Sequence, residues 1–450
     1  MLISLFHEPS YISDVKNGEN GSEPSGPFSR NIFPSERTDT VRNKLLKKIN
    51  RKEAVFILVF IAMLIVLAVM PSGFEKQIYL NAEGVRATVV AVNNSGSYST
   101  GLIRQGAQSC TIVIESGEHK GETVDATNLY TGKMEFDKVF LEGEQAWVLL
   151  ERDADNRIIF ANMVDHYRIT KELLLIAVFA ACMILFSGFT GARTLLSFAI
   201  AFLSIWKVLI PLMLKGYPPI WVALVVGNLI TVTTLLLVAG FTLKAYTAIA
   251  GAVLCSLVTC LLAIFWGRVF GISGVVMQWS ESLLYAGYEY LDLTGIFQAG
   301  IYLACSGAIL DLAVDISSAL DEIVNNNPSI SQRKLFASGL TIGKSVVGSQ
   351  TTTLLLAYMG SYISVMMVYM AQGTPVMNIF NSKTIASEIL HTFVGCIGLV
   401  LVSPLTSAIC AFAYQRRARL SRITVETAGA GKPKEETAAP SKEREAVALK

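Results

Sequence analysis

Two aspartates interrupt a long apolar stretch of the sequence, at positions 311 and 315. Asp311 and Asp315 are four residues apart, so a helix would place both carboxylates on one face, one turn from each other. Neighbouring carboxylates raise each other's pKa unless a shared cation or proton neutralises them. Ionisable side chains inside a membrane are costly and commonly mark ion paths and proton relays. We interpret the pair as a pathway or coupling site for a cation, a proton or a small charged solute.

The rest of the helix face that carries the two aspartates is small or polar. At helical spacing along it, the sequence places Gly300, Ala304, Gly307, Ser318 and Glu322. Small residues of this kind let a second helix approach closely. The pattern is therefore typical of a helix that meets a neighbour along this face.

A lysine in the next apolar segment is the predicted counter-charge. Asp315 lies about ten residues, roughly 15 Å, before the end of its segment, and Lys344 lies about nine residues into the following one. The short connection makes the two segments antiparallel neighbours, so we predict an ion pair of Lys344 with Asp315 or Asp311. The alternative interpretation is a purely structural pair that holds the two helices in register. Further polar side chains follow that could supply hydrogen bonds along the path: Gln350, Thr351 and Thr352.

A second polar pair lies in the last apolar segment, where Glu388 and His391 are three residues apart and share a helix face. Di-iron bundles use two Glu-x-x-His motifs together with further carboxylates, and one copy favours an interface pair over a metal site. His391 could also relay a proton, because histidine titrates near neutral pH. We expect no metal and no cofactor.

Common enzymatic motifs are missing from the sequence. It contains no G-x-x-x-x-G-K-[ST], no G-x-S-x-G and no H-E-x-x-H, which argues against ATP hydrolysis through a P-loop and against common hydrolase chemistry. A membrane-embedded enzyme would need Asp311, Glu388 or His391 in one cleft, and their estimated depths differ. We therefore expect that the protein is not an enzyme.

The composition explains why these polar residues are informative. The chain has 450 residues, of which 52% are hydrophobic and 16% charged, against roughly 25% charged in soluble domains. Mean hydropathy is +0.50. The apolar residues fall in long uncharged runs, which excludes soluble globular, disordered and fibrous proteins. A net charge of +2 without a basic face also excludes a nucleic-acid partner.

The sequence predicts a membrane α-helical bundle of about eight transmembrane helices, because each crossing needs about 20 apolar residues. The predicted spans are 54–74, 173–192, 194–214, 216–243, 245–267, one from about 293, one from about 335, and one from about 385 to 416. After Gly360 a re-entrant piece is an alternative. Basic residues gather before the first span and after the last, which predicts that both termini are cytoplasmic.

Five β-rich runs occupy the polar stretch between the first two spans, at 85–92, 110–116, 122–129, 145–152 and 157–164. Five short strands in about 90 residues favour a small barrel of the OB type, which this orientation places outside the cytoplasm. The predicted domains are a disordered basic segment 1–52, a transmembrane helix 53–74, the β domain 75–168, a seven-helix bundle 169–416 and a disordered cytoplasmic tail 417–450.

Two segments carry a family resemblance. SGAILDLAVDISSALDEI (306–323) and LFASGLTIGKSVVGSQTTTLLLAYMG (335–360) resemble the signature region of the YibE/F family of bacterial multi-pass membrane proteins, and the resemblance extends from the first span to about Arg416. It implies a polytopic protein of the bacterial cytoplasmic membrane and gives no substrate. The acidic residues of the family's aspartate-rich helix correspond to Asp311, Asp315, Asp321 and Glu322. The family often has an acidic residue after the basic one, whereas here Ser345 follows Lys344, and Gln350 and Thr352 replace a threonine and an asparagine. These differences argue against a mechanism that needs a fourth intramembrane charge.

The first hypothesis is a secondary transporter or permease for an ion or small charged solute. In it Asp311 and Asp315 accept a cation or proton, and Lys344 is the charge partner that is exchanged. The second hypothesis is a non-transporting scaffold whose outer β domain docks an envelope protein or assembly factor. The expected partners are the lipid bilayer, the solute, and a homo-oligomer or an envelope protein.

Overall fold

The computed structural model describes residues 51–74 and 81–430. The predicted N-terminal segment 1–52 lies outside the described residues except for its last two positions. The same holds for the tail from residue 431 onward.

A small β-barrel follows the first helix. Its strands are β1 (Ala82–Asn93), β2 (Ser97–Thr100), β3 (Ile103–Ile114), β4 (Thr123–Tyr130), β5 (Gln145–Arg152) and β6 (Ile158–His166). The order is β1-β5-β6-β4-β3-β2, and β1 also pairs with β3, which closes the sheet. Strands β4 and β6 run parallel, and the other pairs are antiparallel. This closed Greek-key arrangement is that of an OB barrel.

The predicted strands correspond to five of the six observed ones, and the barrel prediction is confirmed. The sequence did not predict β2, a four-residue strand that forms a hairpin with the start of β3. Alternate residues of the barrel strands point inward, as Val85, Ala87 and Val89 do in β1, where all three are fully buried. The period-two pattern is what made these strands predictable.

The remaining elements are helical. They are α1 (Arg51–Val69), α2 (Ile169–Ser204), a π-helical turn (Ile205–Leu209), α3 (Ile210–Leu214), α4 (Pro219–Ala239), α5 (Leu243–Phe270), α6 (Ser280–Tyr285), α7 (Leu293–Asn326), α8 (Gln332–Ala371), α9 (Val376–Asn381) and α10 (Lys383–Ala430). Six helical stretches of the described chain are long and apolar enough to cross a membrane, and Val55–Val69 is a shorter apolar helix. The π-helical turn ends two residues before Pro211, which lacks the backbone N–H that a regular helix needs.

The stretch from Ile169 to Leu214 folds back on itself as two antiparallel helical arms. Gly188 has φ 56° and ψ −127°, a backbone conformation outside the helical region. The rings of Phe179 and Phe198 lie 6.1 Å apart although they are 19 residues from each other in sequence, which a straight helix would separate by about 28 Å. The chain therefore reverses at Gly188, a few residues before the predicted break between 192 and 194.

The centre of the bundle is built from α5, α7, α8 and α10. Thr247, Ser317 and Tyr414 bring three of these helices together through buried hydroxyl groups, with oxygen–oxygen distances of 2.6 to 2.9 Å. Glycines allow close helix approach: a Cβ at Gly251 would clash with Thr406, and one at Gly343 would clash with Ser403.

Two expectations differ from the structure. Helix α8 continues through Gly360 to Ala371, so no re-entrant piece begins there. Helix α10 continues to Ala430, so residues 417–430 are helical although the sequence predicted a disordered tail from 417. A single long helix is compatible with the uncharged run 345–371 because a glycine inside a helix costs only about 0.5–1 kcal/mol relative to alanine.

The bundle has two distinct ends. At the barrel end, Phe136 of the barrel contacts Trp279, with ring centroids 5.2 Å apart, and the Tyr290 hydroxyl donates to the Leu214 carbonyl at 2.6 Å. At the opposite end, Ser317 donates to the carbonyl of Lys244 at 2.7 Å, and Arg417 pairs with Asp321 at 3.3 Å. The long helices run between these ends.

Candidate functional site

The two aspartates lie in the part of α7 that is farther from the barrel, where Asp315 comes two residues before Ser317, whose hydroxyl bonds to the Lys244 carbonyl. Asp311 and Asp315 are both exposed, as are Gly307 and Glu322 on the same face, whereas Leu312 and Ile316 on the other face are fully buried. A Cβ built on Gly307 would meet nothing within 4 Å. Most of the small and acidic stripe predicted from the sequence is therefore uncovered, whereas its members Gly300 and Ser318 are half-buried.

Lys344 is also exposed, on α8, the antiparallel neighbour of α7. It lies about twelve residues after the start of α8, and Asp315 lies about eleven residues before the end of α7, so both are at nearly the same height. Within the described part of the chain, no ion pair at 4.0 Å or less joins Lys344 to either aspartate. The predicted pair is not formed in this structure because the side chains point outward from the two helices.

The other polar residues of α8 divide between two faces. Gln350 and Thr351 are half-buried, and the Thr351 carbonyl accepts a weak hydrogen bond from the Cys396 thiol of α10 at 3.9 Å. Thr352 is exposed. The Thr351 and Thr352 hydroxyls donate to carbonyls one turn earlier in their own helix, at 2.9 to 3.0 Å. Thr352 therefore shares the exposed side with Lys344, whereas Gln350 and Thr351 turn toward α10.

We name the exposed small and polar residues of α7 and α8 the open face. It consists of Ala304, Gly307, Asp311 and Asp315 on α7, and Thr341, Lys344, Gly348 and Thr352 on α8. A Cβ on Gly348, like one on Gly307, would meet nothing within 4 Å. The open face combines two negative charges, one positive charge and glycines that leave its surface flat.

Glu388 and His391 lie in a separate, largely buried cluster on α10. Glu388 is 9% exposed, and the His391 ring packs against the Tyr358 ring of α8 with centroids 4.5 Å apart. Tyr362, one turn further along α8, lies near the Glu388 carboxyl. The sequence analysis did not select these tyrosines, although their four-residue spacing inside an apolar run places both on one helix face.

Three polar atoms in this cluster have no hydrogen-bond partner among the described residues: His391 Nε2, the Tyr358 hydroxyl and the Thr392 hydroxyl. Buried polar atoms normally have a partner in the protein or in ordered water. No third metal-ligating side chain joins Glu388 and His391 within the described chain. The cluster fits a hydrated or proton-exchanging interface between α8 and α10 better than a metal centre.

The two polar clusters are far apart. His391 lies beside Phe297 of α7, with ring centroids 6.4 Å apart, and Phe297 precedes Asp311 by about fourteen residues, or roughly 20 Å along the helix. One cleft that contains Asp311, Glu388 and His391, as a membrane-embedded enzyme would need, is therefore not formed.

A cavity of about 490 Å³ lies where the barrel meets the bundle. Phe136, the neighbouring Lys133 and Glu135 contribute the barrel side, and Trp279 contributes the other side. Trp279 has φ 65°, which is rare for a bulky residue and costs of order 1 to 3 kcal/mol. No pattern in the sequence predicts this contact, because Phe136 and Trp279 are far apart along the chain.

No curated protein and no solved structure matches the chain. The family model of the YibE/F-like proteins matches residues 175–416, which include the helices α4 to α8, the open face and the Glu388 cluster. The match leaves out the barrel and α1, which the resemblance seen in the sequence had included. It covers more than half of the chain, and the chain therefore belongs to the YibE/F family.

Proposed function

We propose that this multi-pass membrane protein is a secondary transporter or permease for an ion or a small charged solute. Asp311 and Asp315 accept a cation or a proton, and Lys344 is the charge partner that is exchanged when they are loaded. Gln350, Thr351 and Thr352 supply hydrogen bonds beside the path. In this proposal the chain has no catalytic role and needs no cofactor.

The observation that carries the proposal is that the two aspartates lie on an exposed face of an apolar helix without an ion pair among the described residues. A purely structural Asp–Lys pair would have to be closed, because its role would be to hold α7 and α8 in register. Helix α8 has another contact that does this: a Cβ on its Gly339 would lie 3.0 Å from the Leu320 side chain of α7, so the two helices already pack closely there. The acidic pair is therefore available for a mobile ion.

The proposed orientation places the barrel outside the cytoplasm and both termini inside, in the bacterial cytoplasmic membrane. Support comes from the end of the bundle opposite the barrel, where the basic residues Lys244 and Arg417 gather. Basic residues next to membrane spans are enriched on the cytoplasmic side. The first helix begins at the same end, since Phe56 contacts Phe241 with ring centroids 4.7 Å apart.

Cysteine accessibility tests the path. Single cysteines replace Asp311, Ser345 or Thr352 in a background that lacks the seven native cysteines, and a membrane-impermeant maleimide is added to intact cells or to inverted vesicles. We expect labelling at all three positions, because a transport path must admit water to mid-membrane depth. The matched control is Leu261→Cys, an exposed position of α5 that should face lipid and remain unlabelled.

Protection of all three positions from both sides, in protein that folds normally, would overturn the transport proposal. Labelling from one side alone supports an ion site that opens to that side. Adding Na⁺, K⁺ or a pH step during labelling identifies the ion class, because a bound cation should slow the reaction at Ser345→Cys while Asp311 and Asp315 remain intact.

The second candidate function is a scaffold whose barrel docks an envelope partner. The β2–β3 hairpin favours it, because Tyr98, Leu102 and Ile103 are exposed and Leu102 at the hairpin turn is 83% accessible. Under this hypothesis Leu102→Ser abolishes function while the mid-membrane substitution Asp311→Asn leaves it intact. The transporter hypothesis expects the reverse, so the same two variants separate the two functions.

A further inference from the structure

The open face is costly in a bilayer if nothing covers it. Asp311, Asp315 and Lys344 are exposed and lack ion pairs with one another in the described chain. Charged side chains in membrane spans face a bundle interior or a water-filled cavity, or pair with an opposite charge. The helix that carries Lys344 is also sparsely packed: 6% of its most apolar window is buried, against 44 to 50% for α4, α5, α7 and α10. A partner is therefore required over α7 and α8.

We propose that the open face is an interface between two copies of this chain, and that the second copy completes the Asp/Lys cluster. In this dimer Lys344 of each copy approaches Asp315 of the other. The role of the completed cluster in transport rests on the proposed function, whereas the existence of the interface does not.

Charge and height select a second copy as the occupant. A two-fold axis perpendicular to the membrane leaves every atom at its own height, so two residues can pair across it if their heights match. Asp315 and Lys344 meet this condition, because each lies about eleven or twelve residues from the same end of the bundle. The face carries both signs of charge and is therefore complementary to itself.

The surface of the open face also fits a close helix–helix contact. Gly307 and Gly348 have nothing within 4 Å of a Cβ position, so the backbone of another helix can approach both helices. The Thr352 hydroxyl is already satisfied by a carbonyl of its own helix and can be covered without cost. The charged side chains of the open face are therefore the groups that need an opposite charge from a second copy.

Reversed charges test the interface. Asp315→Lys and Lys344→Asp each place like charges opposite one another in a homodimer, so each variant expressed alone should lose dimer by at least about tenfold. Co-expressed, the two variants restore both pairs: the new lysine 315 faces aspartate 344, and the native Lys344 faces the native Asp315. Differently tagged copies should therefore co-purify from detergent as a mixed dimer. Loss that co-expression does not relieve, in copies that reach the membrane, would overturn the proposal.

A second measurement avoids changing the charges. Ser318→Cys in one tagged copy and Thr341→Cys in the other lie one turn from the charged pair, at matched heights on α7 and α8. Mild oxidation of membranes should link the two tags. Leu261→Cys in place of Ser318→Cys is the control and should give no link.

Each outcome has one interpretation. A link between Ser318→Cys and Thr341→Cys supports the dimer whether or not the maleimide experiment finds a water path. Labelling without a link supports transport by a monomer and overturns the dimer. A tagged copy that links instead to a cysteine of a different protein would show another occupant and would also overturn it.

Discussion

At the residue scale, the barrel core contains two buried amides that hold a loop in place. The side chains of Gln108 and Asn128 are fully buried and bond to each other at 3.1 Å. Gln108 also accepts from the Phe140 N–H at 3.1 Å, and Asn128 donates to the Lys138 carbonyl at 2.6 Å. These bonds connect strands β3 and β4 to the segment before β5, which has no strand partner of its own.

Replacing Asn128 should therefore destabilise the barrel. Asn128→Leu leaves the Lys138 carbonyl and part of the Gln108 amide without partners, and we expect a loss of about 1–3 kcal/mol in the free energy of unfolding. Chemical denaturation of the detergent-solubilised protein, followed by far-UV circular dichroism of the β signal, measures it. Gln105→Leu is the control, because Gln105 is an exposed amide on the neighbouring strand β3. Equal effects of the two substitutions would contradict the prediction.

Tyr414 has the corresponding role in the helical bundle. Its hydroxyl is fully buried and donates to the Ser317 carbonyl at 2.9 Å, beside the Thr247 and Ser317 hydroxyls. Tyr414→Phe keeps the ring and removes the hydroxyl, and we expect a cost of about 1–2 kcal/mol, seen as a lower melting temperature in detergent. Tyr246→Phe, at an exposed position of α5, should leave the melting temperature unchanged. An unchanged value for Tyr414→Phe would mean that the network does not join the three helices.

At the scale of elements, α8 packs against α10 along one side, from Gly343 to Tyr358, and its other side is uncovered. A Cβ on Gly343 would clash with Ser403 of α10, whereas one on Gly360 would meet nothing within 4 Å. We predict that replacing glycine by alanine changes the free energy of unfolding in opposite directions at these two positions. Gly343→Ala should destabilise by about 1–3 kcal/mol through overpacking, and Gly360→Ala should stabilise by about 0.5–1 kcal/mol through helix propensity. Thermal unfolding of both variants tests the pair, and two shifts of the same sign would contradict the packing of α8 on α10.

The barrel loop between β4 and β5 contacts the bundle, and its conformation depends on Asp137. Its carboxylate accepts from the Thr131 N–H at 2.6 Å and from the Gly132 N–H at 3.0 Å, which fixes the turn that presents Phe136 to Trp279. Partial desolvation acts to raise the pKa of Asp137, but these hydrogen bonds outweigh it, so the pKa lies below its usual value. A lowered pKa gives stability that is present above the unfolded pKa, near 3.9, and is lost as the pH falls through the folded pKa.

Acidification below about pH 4 should therefore release Phe136 from Trp279. The ¹⁹F NMR signal of a fluorinated Trp279, assigned by its loss in Trp279→Phe, should shift toward a solvent-exposed value in that range. Asp137→Asn lacks the carboxylate and should show the exposed signal already at pH 7. A transition that Asp137→Asn does not alter would have another carboxylate as its cause.

At the scale of the whole molecule, regular patterns were predictable and contacts between distant segments were not. Alternating apolar residues predicted the barrel strands, and the four-residue spacing of Asp311 and Asp315 predicted their shared face. The sequence analysis predicted an ion pair for Lys344, whereas the structure has this side chain exposed, because equal height does not fix the direction in which a side chain points around its helix. Tyr358 beside His391 and Phe136 beside Trp279 were missed because these contacts depend on how separate elements pack.

The reversal at Gly188 decides how often the chain crosses the membrane. Both arms begin or end at the barrel end, since Ile169 follows β6 directly and the Leu214 carbonyl bonds to Tyr290. The first arm has about 19 residues, or roughly 28 Å, which is enough to cross the hydrocarbon core. The turn should therefore reach the cytoplasmic side. The two arms then count as two crossings, which keeps the total even, as it must be if both termini are cytoplasmic.

Labelling at three exposed positions tests this topology. In intact cells an impermeant maleimide should label Ser95→Cys at the β1–β2 turn of the barrel, but should label Thr190→Cys beside the reversal only after permeabilisation. Ser329→Cys, in the α7–α8 connection at the end opposite the barrel, is the reference for the cytoplasmic side. If Thr190→Cys were labelled from outside, the Gly188 hairpin would enter and leave on the barrel side. The two arms would then form a re-entrant hairpin instead of a pair of spans, because they would not reach the cytoplasmic end.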